Sequence, residues 1–122
     1  MHACSCSKAI AAFAEPEFQD CIVSKNLRQY TEHTKTSQKD LYAEFQKIAE
    51  RGFADCDQEI DMGIASVAAP VSIGNIGAIF SIGAVGPIRR FGEAYRNEIG
   101  TKLVELSTRV SGAIQLCNVP EL

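Results

Sequence analysis

The feature that most constrains this chain is a run of 26 residues without a charged side chain, from Gly63 to Ile88. As one helix, this run would be about 39 Å long, which exceeds the roughly 30 Å hydrocarbon core of a bilayer. Pro70 and Pro87 interrupt it, and the 16 residues between them fall short of the about 20 that a transmembrane helix needs. Length therefore permits a membrane span, whereas composition argues against one.

A local repeat of the form SIGxxG occurs twice within this run, at residues 72–77 and 81–86. On a helix, the small side chains would form one smooth face and the bulky ones another, and a smooth face lets a second backbone approach closely. The small residues are Gly74, Gly77, Ser81 and Ala84. As strands, the same residues would give short runs broken by glycine, which is unfavourable inside a sheet. We therefore expect helical structure here.

Three interpretations of the run follow. It is a buried glycine-rich core helix or hairpin, a membrane-inserting segment, or a surface that packs on a second copy of the chain. For the last two, we predict that its middle and end make the contact. The predicted contact residues are Ile73, Gly74, Ile76, Gly77, Ile79, Phe80, Ser81, Ile82, Ala84 and Val85.

Apolar residues at helical spacing flank this run on both sides. One stripe extends from Leu41 to Val67 and the other from Ile88 to Cys117, with steps of mostly three or four residues. These stripes predict helices over about 37–69 and 88–117, although Gly52 or Gly63 could end the first one earlier. Paired antiparallel and covered by two short N-terminal helices, they predict an all-α fold. We expect a compact four- or five-helix bundle forming a single domain over 1–122.

Five cysteines are many for a chain of 122 residues, and their spacing does not resemble that of a zinc site. The predicted helical hairpin places Cys56 opposite about residue 101, so it should not pair with Cys117. The disulfide candidates are Cys4, Cys6, Cys21 and Cys117. Disulfides indicate an oxidising compartment. We therefore predict a secreted or cell-surface protein, although the chain has no intact signal peptide.

Charge and motifs exclude several classes of function. The net charge of −3 argues against binding nucleic acid through its phosphates. The HxCxC sequence from His2 to Cys6 lacks a fourth metal ligand. The alternating acids of 55–61 lack the glycine and glutamate of a calcium loop, so they predict a solvated patch on a helix. His33 has no accompanying nucleophile. We predict no metal site, no cofactor and no enzymatic activity.

The sequence thus predicts a non-enzymatic, exported or surface-associated interaction protein. Its segment 63–88 would pack against membrane lipid or another copy of the protein. The alternative is a soluble helical carrier that holds a lipid or another apolar small molecule between the long helices, with the glycine-rich segment lining the pocket.

Overall fold

A computed structural model of the chain describes residues 2–74 and 77–117. Within these residues there are four α-helices and three β-strands. In chain order they are α1 (Ser5–Ala12), α2 (Pro16–Val23), α3 (Gln38–Arg51), β1 (Ala54–Asp57), β2 (Ile64–Ile73), β3 (Gly77–Pro87) and α4 (Glu93–Cys117).

The predicted all-α bundle is wrong, because the middle of the chain forms an antiparallel sheet. The strands lie in the order β1-β2-β3. The uncharged run folds back on itself as β2 and β3, with Ile64 opposite Pro87 and Ile73 opposite Gly77. The backbone at Gly74 and Gly77 has positive φ values of 46° and 92°, a conformation that glycine adopts without steric cost. The segment reverses direction as predicted, but as a β-hairpin.

Helices cover both faces of β2, which explains why the run reads as continuously apolar rather than alternating. On one face, Ala68 packs with residues of α1, α2 and α3. On the other, Val67 and Ala69 pack with Leu103 of α4. The chain is therefore a three-layer arrangement with the sheet between α4 and the first three helices.

The predicted helix over 37–69 ends early, at Gly52. The backbone of Gly52 is left-handed with a φ of 90°, and its N–H donates to the carbonyl of Ile48, as expected for a glycine that terminates a helix. At the other end, the Ser37 hydroxyl accepts from the Asp40 N–H, which caps the helix. Since α3 and α4 pack on opposite sides of the sheet, the predicted helical hairpin is also wrong.

Two glycines allow aromatic rings to pack directly against backbone. A Cβ atom on Gly100 would lie 2.4 Å from the ring of Phe53, which is buried between α4 and the sheet. A Cβ on Gly86 would lie 2.6 Å from the ring of Phe91. The glycines that weaken the helical and strand propensities of this sequence therefore permit the close contact of its layers.

None of the helices in the described part of the chain is both long enough and apolar enough to cross a bilayer.

Candidate functional site

An apolar cavity lies between the sheet, the N-terminal end of α1 and the loop that joins β1 to β2. Its volume is about 330 Å³ and most of its surface is apolar. Cavities of this size and character are typical of sites that bind small molecules. We therefore built the candidate site from the residues around it.

One row of side chains across the sheet forms the floor of the cavity. In this row Cys56 of β1 is paired with Ser66 of β2, which is paired with Val85 of β3. All three residues line the cavity. Ile64 of β2 also lines it, and it directly precedes Ala65, which is paired with Gly86 of β3. The antiparallel register therefore brings residues that are 29 positions apart in sequence into one continuous surface.

The N-terminal end of α1 forms one wall, through Cys4, Ser5 and Cys6. The hydroxyl oxygens of Ser5 and Ser66 are 2.7 Å apart, so a hydrogen bond joins this wall to the floor. Close approach of α1 requires the glycine at position 83, because a Cβ there would lie 3.2 Å from Cys6 Sγ and 2.9 Å from a backbone oxygen. The second SIGxxG repeat therefore provides the space beneath the helix.

The loop between β1 and β2 forms the opposite wall, through Ile60 and Asp61. Its shape depends on two residues with left-handed backbone, Gln58 with a φ of 58° and Gly63 with a φ of 82°. The Gln58 side-chain oxygen accepts from the Gly63 N–H at 3.0 Å, which closes the loop. The Gln58 carbonyl accepts from the Thr31 hydroxyl, so the loop is also tied to the preceding segment.

A buried ion-pair network fixes this loop to α1. The Lys8 ammonium, 0% exposed, donates to Glu59 Oε2 at 2.9 Å, to the Asp55 carbonyl at 2.7 Å and to Glu44 Oε1 at 3.3 Å. Burial lowers the pKa of Lys8, but the adjacent carboxylates of Glu59 and Glu44 outweigh it, so the pKa is raised and the amine stays charged. Lys35 lies 3.5 Å from Glu59 Oε1, which makes the network neutral overall.

On the other face of the sheet, β1 is joined to α4. Arg96 Nε donates to Asp55 Oδ2 at 3.1 Å, and Arg96 Nη2 donates to Asp57 Oδ2 at 3.2 Å. Arg51 also contacts Asp55, at 2.7 Å. Burial raises the pKa of Asp55, but the charges of Arg51, Lys8 and Arg96 overcome this and lower it. The predicted acidic patch on a helix is therefore wrong: these acids belong to a strand and a loop, and three of them are paired.

The cysteines do not form the predicted disulfides. All five thiols are free, and three of them, Cys4, Cys6 and Cys56, line the cavity. Burial raises the pKa of the Cys56 thiol, which keeps it protonated and unreactive at neutral pH. Within residues 2–74 and 77–117, no group of three or more His, Cys, Asp or Glu side chains is arranged to hold a metal ion.

The predicted contact residues separate into groups in the structure. Ala84 and Val85 line the cavity. Ile82 packs against the α4 side of the sheet, and Ile79 and Phe80 are exposed on β3 at 45% and 54%. The others are Ile73 at the end of β2, Gly74 in the turn, Gly77 and Ser81 in β3, and Ile76, which is outside the described residues. That these residues contact a partner stays a prediction.

Sequence reasoning missed most of the cavity: Ser5, Cys56, Ile60, Asp61, Ile64, Ser66 and Gly83. The repeated SIGxxG pattern was the one signal that pointed near it, because Gly83 and its two successors belong to the second copy. The residues on α1 and on the β1–β2 loop come together only through the sheet register, which the prediction of a helical bundle left out.

The fold and the cavity define a three-layer α/β domain that holds a small apolar cavity against one face of an antiparallel sheet. The family model described as "Bacterial transcriptional regulator IclR C-terminal" matches residues 1–112. The chain belongs to this family. A comparison with curated protein sequences gives no significant match.

Solved structures of transcriptional regulators share the fold. IclR of Thermotoga maritima is 27% identical with a TM-score of 0.81, over 88% of this chain and 44% of that one. The Agobacterium tumefaciens repressor BlcR is 15% identical with a TM-score of 0.85, over 92% and 46%. The Acinetobacter PobR inducer-binding domain, a double mutant in complex with 3-hydroxybenzoic acid, is 17% identical with a TM-score of 0.79, over 93% and 64%.

The last two likenesses show the fold alone, because their identities are low. The chain spans less than half the length of the first two of these proteins.

Family membership overturns several predictions made from the sequence. The family is one of bacterial transcriptional regulators, so the predicted surface interaction protein, the helical lipid carrier and the membrane-lipid partner are wrong. The prediction of no nucleic-acid partner is also wrong, because the family is one of transcriptional regulators. The predicted secreted or cell-surface location is wrong because bacterial transcription takes place inside the cell.

Proposed function

We propose that this chain is the effector-binding part of a transcriptional regulator, and that the cavity beneath α1 is where a small molecule binds. The observation that carries the proposal is the match to the regulator family over residues 1–112, combined with an apolar cavity of about 330 Å³. The role is non-enzymatic: binding in the cavity changes the conformation of the domain, and no bond in the ligand is made or broken.

A similar domain with a small molecule bound supports the proposal. The PobR inducer-binding domain was solved with 3-hydroxybenzoic acid, a ligand that a cavity of this size can hold. DNA contact, in our proposal, is made by another part of the regulator, because this chain carries a net charge of −3 and the known structures extend well beyond the region that it matches.

The structure offers a route from the cavity to α4. Cys56 faces the cavity, whereas its neighbours Asp55 and Asp57 face α4 and bind Arg96. Since adjacent strand residues point to opposite faces, a displacement of β1 by a bound molecule moves the carboxylates that hold Arg96 of α4. We propose that β1 is the element through which occupancy of the cavity is communicated to the opposite layer.

The test is a screen of small neutral, cationic and anionic aromatic molecules by thermal unfolding. A ligand at a hundredfold excess over its Kd stabilises the native state by about 2.7 kcal/mol, which raises Tm by several degrees for a domain of this size. A library without any stabilising compound, at concentrations up to the millimolar range, contradicts the proposal.

Two matched variants locate the binding. Val85 lines the cavity and is 69% exposed, so Val85→Trp places a large ring across the entrance without disturbing the core. Ile79 lies on the same strand, is 45% exposed and is not part of the cavity. Val85→Trp should abolish the ligand-induced shift in Tm, and Ile79→Trp should preserve it. Equal shifts in the two variants place the ligand elsewhere.

A further inference from the structure

We propose that the cavity selects a small apolar molecule that carries an amine or another hydrogen-bond donor, and that it discriminates against carboxylates. The inference rests on the proposed function, since it names the class of ligand for the same site. It comes from the charges around the cavity, which differ from those expected around a bound organic acid.

No lysine, arginine or histidine lines the cavity in the part of the chain that the structure describes. Proteins commonly bind carboxylates through such side chains, above all through the paired donors of arginine. The polar groups that do line it are hydroxyls and thiols, and the Ser5 and Ser66 hydroxyls already bond to each other. A bound carboxylate would therefore lose its hydration without meeting a full opposite charge.

The nearest lysine in sequence cannot supply that charge. Lys8 is one turn beyond Cys4 on α1, but its ammonium is fully buried and shared among Glu59, Glu44 and the Asp55 carbonyl. To turn towards the cavity, Lys8 would have to give up both buried carboxylates, which would leave them only the longer contacts with Lys35 at 3.5 and 3.9 Å and is unfavourable for buried charges. The network of Lys8, Lys35, Glu44 and Glu59 is neutral, so it adds no net charge to the site.

The one ionised side chain that lines the cavity is negative. Asp61 lies on the β1–β2 loop and is exposed. Among the described residues it forms no ion pair. Its carboxylate is therefore free to accept hydrogen bonds from a ligand at the entrance. An ammonium or amide group there would gain a charge-assisted hydrogen bond, whereas a carboxylate would be repelled.

The N-terminal end of α1 acts in the opposite direction but is weaker. Its free backbone N–H groups carry about half a unit of positive charge, against the full unit of negative charge on Asp61. The free N–H groups of the helix end can donate to a hydroxyl or carbonyl oxygen of the ligand. The sum of these two charges at the cavity is thus negative, and it favours a neutral or cationic ligand.

Three molecules of nearly the same size and different charge test the inference: benzylamine, benzyl alcohol and benzoate. At neutral pH the first is a cation and the last an anion. Their Kd values for the full 122-residue chain are measured by ligand-observed NMR. We expect benzylamine to bind at least about tenfold more tightly than benzoate, a difference of about 1.4 kcal/mol, with benzyl alcohol between them.

Asp61→Asn tests the cause of this preference. It removes the charge with little change of shape, so the ratio between benzylamine and benzoate should fall by about threefold or more. Glu50→Gln is the matched control, because Glu50 is an exposed acid on α3 that is not part of the cavity. It makes the same change in net charge and should leave the ratio unaltered.

The outcomes separate this inference from the proposed function. If benzoate binds as tightly as benzylamine or more tightly, the inference is overturned while the cavity stays the ligand site. An equal effect of Asp61→Asn and Glu50→Gln shows a general charge effect and also overturns it. If none of the three molecules gives binding that Val85→Trp abolishes, the cavity is not a ligand site and both proposals fail.

Discussion

Replacing Lys8 by methionine tests whether buried charges hold the loop beside the cavity in place. Methionine has nearly the volume of the lysine stem, so the change removes the ammonium while keeping most of the packing. It leaves Glu59 and Glu44, which are 2% and 7% exposed, with Lys35 as their cation at 3.5 and 3.9 Å. Removing one partner of a buried ion pair typically costs about 3–5 kcal/mol.

That loss is large for a domain of this size. At about 0.05–0.15 kcal/mol per residue, the whole chain is stable by roughly 6–18 kcal/mol. In urea, with a slope of about 2 kcal/mol per M, Lys8→Met should lower the unfolding midpoint by about 2 M. The control is Lys102→Met, because Lys102 pairs with Glu98 on the surface, where the two side chains are 67% and 61% exposed. That pair contributes about 0.5 kcal/mol or less.

The coupling to Glu59 makes the test specific. Glu59→Gln in the Lys8→Met background should cost much less than in the wild-type protein, with an interaction energy of about 1–3 kcal/mol. The raised pKa of Lys8 adds a pH signature. The stabilisation by the charged Lys8 amine is complete below pH 10.5, the ordinary pKa of lysine. It is lost only as the pH rises through the higher pKa that Lys8 has in the folded protein. A Lys8→Met loss below 1 kcal/mol, similar to that of Lys102→Met, would refute the reasoning.

Three further predictions concern packing, acid stability and thiol reactivity. Gly100→Ala should be about 1–3 kcal/mol less stable than Gly112→Ala in urea, because only the first Cβ meets a buried ring. Asp55→Asn should destabilise the protein at pH 7 and progressively less as pH falls below 3.8, because the lowered pKa of Asp55 contributes stability only while the group is ionised. Cys56 should react with a thiol reagent more slowly than Cys21, since Cys56 is buried with a raised pKa and Cys21 is exposed; mass spectrometry of partly labelled protein checks the order.

Parts of the fold were readable from local signals. A proline at the first position of α2 and a capping serine before α3 mark helix starts that the structure contains. Most of the long stripe after Pro87 lies in a helix from Glu93 to Cys117, but the helix begins later than the predicted residue 88, so Ile88 and Phe91 precede it. Such signals depend on a few neighbouring residues, and the surrounding fold does not alter them.

The sheet was missed because its strands lack the usual signals. β2 is covered on both faces, so alternation of apolar and polar residues is absent. Pro70 and the small residues also lower its apparent strand propensity. Pro70 is tolerated because it lies beyond Ala68, the last residue of β2 paired with β1, and beside an irregularity between Val71 and Ser72.

The first apolar stripe shows how a helical period can arise without a helix. Leu41, Phe45 and Ile48 are on one face of α3 and enter one core. The next two members, Phe53 and Cys56, are three residues apart, but Cys56 lies on β1 and Phe53 directly precedes that strand. In extended backbone, residues an odd number apart point to opposite faces.

Phe53 accordingly packs towards α4, and Cys56 faces the cavity. Gly52, between Ile48 of α3 and Phe53, is the position that divides the pattern. A glycine directly after Arg51 is a common helix end, whereas a continuous helix would pay about 1 kcal/mol to include it. Dividing the stripe there frees Cys56 to join the row with Ser66 and Val85, from which the cavity is built.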